Sequence, residues 1–171
     1  MKNRNIVVDF SQINGFLPKL EQLGRRRDAF FRSSAKVLAG MLLRAVKEKT
    51  PIGQYTEESG KNGGTLKRGW TGGADTDVTA FVSTMRVADI GNGYEITMEN
   101  PVYYAPYVEF GHRQQPGRYV PQIGKRLTAS YVEGKHMLEK AVNEVEPRAR
   151  GVLEQQLEKF LREALEGGAG T

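Results

Sequence analysis

Between Arg25 and Lys49 the apolar residues Phe30, Phe31, Val37, Leu38, Met41, Leu42, Ala45 and Val46 recur at spacings of three and four, which gathers them on one side of a helix. No other segment constrains the fold as strongly. Thr50-Pro51 sets its end, because the residue before a proline is pushed out of the α region. A helix with so continuous an apolar side needs the rest of the chain to cover it.

Upstream, residues 6–10 read as a short extended start, and Ser11 or Asn14 caps a first helix expected over residues 12–23. Downstream, residues 53–65 hold four glycines, Glu57 and Glu58 and no periodic pattern, which reads as an exposed flexible loop. Strand-like runs follow at 66–71, 79–88, 94–99 and 102–110. Ile90-Gly91-Asn92-Gly93 separates the second from the third, and an Asn-Gly step supplies the positive φ angles of a tight hairpin. Asn100-Pro101 separates the third from the fourth, so the runs form an antiparallel meander. Residues 111–134 are rich in Gly, Gln, Pro and basic side chains; this stretch is too long for an ordinary connection and reads as an extended arm or hairpin. A last helix runs from Lys135 toward Leu165, with Leu138, Ala141, Val142, Val145, Leu153, Leu157, Phe160 and Leu161 on its apolar side. Pro147 should kink it or begin a new helix, and residues 167–171 form a frayed tail. The expected fold is α+β. A small antiparallel sheet of about four strands is packed by a long N-terminal helix and a long, Pro-kinked C-terminal helix, in one domain over residues 1–171.

Zero cysteines exclude a disulfide framework, a thiol nucleophile and any metal site built on thiolates. No stretch approaches the roughly 20 apolar residues that span a bilayer, so no membrane partner is expected. The net charge of +5 is uneven: residues 1–50 hold 11 basic and 4 acidic side chains, and residues 51–100 hold 4 and 7. A basic first half raises the prospect of contact with nucleic acid or an acidic neighbour.

Candidate chemistry is sparse. Glu109 and His112 share a local turn, but two ligands make at most half of a usual divalent site; Glu109 is better read as an acceptor for loop amides. Gly60 to Thr65 lacks the spacing of a phosphate-cradling loop, and Asp75, Asp77 and Asp89 lack the twelve-residue calcium pattern. No serine stands in a strand-turn-helix nucleophile context, so no enzyme activity and no cofactor are expected. Arg25, Arg26 and Arg27, with Lys36, Arg44, Lys47 and Lys49, form a candidate DNA-facing stripe, although no recognition helix follows Pro51. Tyr103, Tyr104, Tyr107 and Phe110 have the shape of a base-stacking platform, yet suit a core or subunit interface better.

Three segments together resemble the tail-completion, or head-to-tail joining, family of long-tailed phages and phage-tail-like particles, whose members include minor tail and neck proteins. They are Lys49-Thr50-Pro51-Ile52-Gly53, then Thr65-Leu66-Lys67-Arg68-Gly69-Trp70, then the block from Asn100-Pro101 through Tyr104-Ala105 to Val108-Glu109-Phe110-Gly111-His112. A basic loop and a helix opening near Met137-Leu138 complete the likeness, which spans roughly residues 30–165. Where the family has a short Val-Asp-Thr-Gly link, residues 54–64 are inserted. The resemblance implies a structural virion protein, assembled in the host cytoplasm, that completes the tail tube as a hexameric ring. Its partners would be further copies of itself, a tail tube or tail terminator protein, and a head or neck connector protein, with non-specific contact to DNA in the lumen. The residues expected at the assembly interface are Trp70, Tyr104, Tyr107, Glu109, Phe110, Gly111, His112, Arg113, Arg118 and Tyr119. A nucleic-acid-binding module using the basic first helix is the alternative.

Overall fold

The computed structural model describes residues 5–8, 26–55, 57–73 and 77–166. The helix expected over residues 12–23, Arg25, Asp75 and the tail at 167–171 lie outside them. The strong helical period is realised as α1, Arg26–Lys49. Its buried residues include Phe30, Phe31, Leu38, Leu42, Leu43 and Val46, and Leu43 and Val46 have no exposed surface at all. Full burial of one such side chain stabilises by about 1.5–3 kcal/mol, so this stripe is the largest single source of cohesion.

Strand β1, Asn5–Val8, pairs antiparallel with β3, Tyr94–Thr97, placing Ile6 opposite Ile96. Strand β2, Ala88–Asp89, pairs on the other side of β3 with Ala88 opposite Glu95. The expected hairpin joins β2 to β3, with Ile90 N donating to Gly93 O at 3.0 Å, but Gly91 takes the positive φ, 85°, and the Asn92-Gly93 step does not. The fold is α+β, with a three-stranded antiparallel sheet and two shorter two-stranded ladders.

Three of the four expected strands are wholly or largely helical. Residues Thr65–Gly69 form α2, Val78–Thr84 form α3 and Ala105–Phe110 form α4. In α3 the β-branched run is overridden by an N-cap: the Asp77 carboxylate accepts from Ala80 N at 3.0 Å, which holds its carboxyl below the usual carboxylate range. The hydroxyls of Ser83 and Thr84 donate back to the carbonyls of Ala80 and Phe81, so this polar run closes on its own helix. In α4 a proline in the first turn and burial of Ala105 and Glu109, four apart, carry the helical signal that the aromatic spacing obscured.

The last helix, α5, runs Met137–Glu166. Pro147 lies inside it and removes one backbone rung, but no new helix begins there. Met137, Ala141, Val145, Leu153 and Leu157 are buried at multiples of four and face α1, where the rings of Phe30 and Phe160 lie 4.9 Å apart. Polar contacts pin both ends of α1. At its start Arg32 donates to Asp28 at 2.7 Å and to Val87 O at 2.5 Å, and Tyr94 donates to Asp28 at 2.9 Å. Burial, and then that bond to Asp28, push the Tyr94 hydroxyl up to about 12. At the far end Lys49 pairs with Glu144 of α5, while the buried hydroxyl of Thr50 donates to Val46 O at 2.6 Å and accepts from Trp70 Nε1 at 2.9 Å.

Thr50→Val leaves the Trp70 N–H buried without an acceptor and should cost about 1–3 kcal/mol in urea unfolding, whereas Thr50→Ser should cost clearly less. Lys49 holds the Glu144 carboxyl below its ordinary value. A depressed folded value contributes stability above the unfolded carboxylate range, and that contribution is lost as pH falls through the folded value. Glu144→Gln should therefore lower the thermal midpoint at neutral pH, and the gap to the unaltered protein should close on acidification below pH about 4.

Candidate functional site

The three motif segments, remote in sequence, meet at the C-terminal end of α1. Thr50 holds Trp70 as described. Asn100 Nδ2 donates to Leu66 O at 2.8 Å, and Asn100 Oδ1 accepts from Val102 N at 3.1 Å, so one side chain ties α2 to the approach of α4. A side chain at Gly69 would collide with Asn100 and Val102, which explains a glycine within a helix.

Helix α4 is fastened from beneath. The Glu109 carboxylate, 6% exposed, accepts from Leu138 N at 3.1 Å and Glu139 N at 3.3 Å. These are free amides of the first turn of α5, so Glu109 satisfies the N-terminus of another helix and sits at its positive dipole end. The backbone follows the same path: Lys135 N donates to Val108 O at 2.7 Å and His136 N to Glu109 O at 3.0 Å. At Gly111, with φ 82°, a Cβ would stand 2.5 Å from both Tyr131 Oη and Val132 O; one at Gly134 would run into Glu109 O. The two glycines let the chain leave α4 and return to α5 at the same place.

Between them lies the hairpin of residues 111–134. Strand β4, Gly111–Arg113, pairs with β7, Tyr131–Glu133, and beyond it β5, Tyr119–Val120, pairs with β6, Lys125–Arg126. The bonds Gln114 N to Ser130 O, Gly117 N to Leu127 O and Leu127 N to Arg118 O join the two ladders. Among the described side chains of residues 111–134 none is buried, so the backbone carries the hairpin.

The expected interface residues divide into two sets. Trp70, 5% exposed, and Glu109 face inward and support the surface. Tyr104 is half-buried, and burial pushes its hydroxyl above the usual phenol range. Tyr107 and Phe110 are 55% and 60% exposed, and Arg113, Arg118 and Tyr119 stand exposed on the hairpin. His112 packs edge-on to Tyr107 with ring centres 5.9 Å apart, and its Nδ1 is buried without a hydrogen-bond partner. Tyr103, 83% exposed, belongs with Tyr107 and Phe110 on the outer side of α4, which the strand assignment had concealed. An open groove of about 630 Å³ beside α3, lined by Phe81, Met85, Glu95 and Met98 among others, had no sequence signal.

Other candidates find ordinary partners. Glu109 is committed to the amides of α5, and among the described residues no group of three or more His, Asp or Glu is placed to hold a metal ion. Three cations of the basic stripe on α1 are spent inside the fold, Lys36 on Ser83 O at 2.6 Å, Arg44 on Thr79 at 3.0 Å and Lys49 on Glu144, and Arg32 beside them holds Asp28 and Val87.

Glu109→Ala leaves two helix amides without their acceptor and should cost about 1–3 kcal/mol in chemical unfolding. Gly134→Ala forces backbone apart and should cost at least about 1–3 kcal/mol. Both variants should loosen residues 111–134 to protease before the rest of the chain.

A comparison with protein families matches residues 14–111, more than half of the 171, to the family described as "Bacteriophage HK97-gp10, putative tail-component". No curated protein and no solved structure matches. The matched span contains the Thr50-Pro51, Leu66–Trp70 and Asn100–Gly111 segments that meet at the end of α1, and it stops where the hairpin begins. The chain belongs to the HK97-gp10-like family of phage tail components.

Proposed function

We propose that this tail component completes the top of the tail tube and joins it to the head or neck connector, as one domain repeated around a hexameric ring. The observation that carries the reading is the outer side of α4: Tyr103, Tyr107 and Phe110 stand in water on a short helix whose inner side, Ala105 and Glu109, is buried and locked. A contiguous aromatic face that does not serve its own core suits burial against another protein. A ring uses one such patch against a different patch on the next copy, so the contact propagates around the axis. The interface comprises Tyr107, Phe110, His112 and Arg113, with Arg118 and Tyr119 farther along the hairpin, while Trp70, Tyr104, Glu109 and Gly111 hold it in shape. The outer edges of β4 and β7 have no strand partner among the described residues, which leaves them open to strand addition by a neighbour. The face toward the tube meets the tube or terminator protein, and the opposite face meets the connector. Glu109 and His112 have structural roles here, and no catalytic step is assigned.

Native mass measurement and electron microscopy of the purified protein, alone and mixed with tail tubes from the same particle, test this reading. A six-fold ring is expected in the presence of tubes, and Tyr107→Asp with Phe110→Asp should abolish it without changing the circular dichroism spectrum. A monomer under both conditions, or rings unaffected by the double substitution, would sink it.

A further inference from the structure

The first helix and the hairpin are both basic, and Lys36, Arg44 and Lys49 of the helix are engaged within the fold. Between Gly111 and Val132 the chain carries Arg113, Arg118, Lys125 and Arg126 and no carboxylate. The side chains of Arg113, Arg118 and Lys125 make no hydrogen bond or ion pair among the described residues, and all four basic side chains are exposed. Arg126 is held for presentation: its guanidinium donates to Gly117 O at 2.8 Å and lies over the Tyr119 ring, 5.9 Å from its centre. In the register of β5 and β6, Tyr119 stands opposite Arg126 and Val120 opposite Lys125. Opposite residues share a face, so Arg126 and Tyr119 fall on one side of the ribbon, with Lys125 and Arg118 on the other. The tip is cationic on both sides.

We propose that this tip, formed by Arg118, Tyr119, Lys125 and Arg126, is a contact for the phosphate backbone of duplex DNA. Like charges gathered on a slender ribbon repel one another and contribute nothing to the core, so their stabilising partner lies outside the subunit. Phosphate fits the arrangement, since arginine forks and lysine ammoniums bind it in any sequence context. An acidic protein is the poorer match, because the large apolar side chain exposed at the tip is the amphipathic Tyr119, while Val120 and Ile123 are half-buried. The nearest acidic element is the turn Glu57–Ser59, which lies against Pro121–Ile123 at the tip. Its Glu57 and Glu58 form no ion pair with the hairpin among the described residues, so the cations remain available. Arg118 and Tyr119 also belong to the ring interface proposed above, so the contact is read on the free subunit, where its failure is distinct from a failure of ring formation.

The test is fluorescence anisotropy of the full-length protein with a short fluorescein-labelled DNA duplex over a salt series. With the three cations of the tip engaged, log K should fall against log salt with a slope of about −2.7. Arg118→Gln with Lys125→Gln, neither of which has a partner in the fold, should make the slope shallower by about 2 with no change in thermal midpoint. Arg26→Gln with Lys47→Gln on α1 should leave it unchanged. The proposal is overturned if the hairpin pair leaves the slope intact, if only the helix pair alters it, or if no duplex binds at low salt. Binding of poly-glutamate in place of the duplex would also overturn it and make the tip a dock for an acidic protein.

Discussion

Helix α1 has to be covered on several sides at once, and the architecture follows from that requirement. Its buried residues run from Phe30 to Val46 and include Ser34, Ala35, Ala39, Gly40 and Ala45, small residues that let neighbours come close. Helix α5 takes one side, α3 another and β3 a third. Strand order, the position of α3 and the direction of α5 are ways of covering this one rod. The polar pins at its ends, Asp28 with Tyr94 and Thr50 with Trp70, fix where along the rod those covers sit.

The Thr50 pin also organises the surface. Trp70 brings α2 to the end of α1, and Asn100 brings the start of α4 to α2 through the Leu66 carbonyl. Glu109 then ties α4 to the start of α5, which returns along α1. The chain thus closes a circuit of side-chain hydrogen bonds around one corner of the molecule. The outward aromatics of α4 inherit a rigid base from it, and a helix of six residues would not otherwise hold its place. A shape held this firmly suits a tail component, which works among other tail proteins in a particle built from repeated contacts.

Charge is allotted in the same spirit. Lys36, Arg44 and Lys49 resemble a solvent-facing stripe in the sequence, yet each reaches a carbonyl, a hydroxyl or a carboxylate on a packed neighbour. Spacing reports which side of a helix a cation occupies, but not whether another element covers that side. The side chains of Arg113, Arg118 and Lys125 on the hairpin reach no such partner among the described residues.

The long helices, the glycine turn at residues 90–93, the Thr-Pro stop and the chain segments that carry the family likeness were legible in the sequence because each rests on local chemistry: a 3.6-residue period, a positive φ taken by Gly91, a ring without an amide proton. Residues 66–69, 79–84 and 105–110 were misread as strands because their β-branched and aromatic composition favours extended chain, while their caps and partners come from elsewhere. Asp77 caps α3, Leu66 and Gly69 are pressed against distant segments, and Glu109 spends its carboxylate on amides 29 and 30 residues away. The sequence by itself determined that this chain builds two long amphipathic helices about a small antiparallel sheet and carries an aromatic block running into a basic arm. Only the tertiary structure decided which of those aromatics and cations face the core and which stand exposed, because burial depends on what folds against a residue and not on its neighbours in the chain.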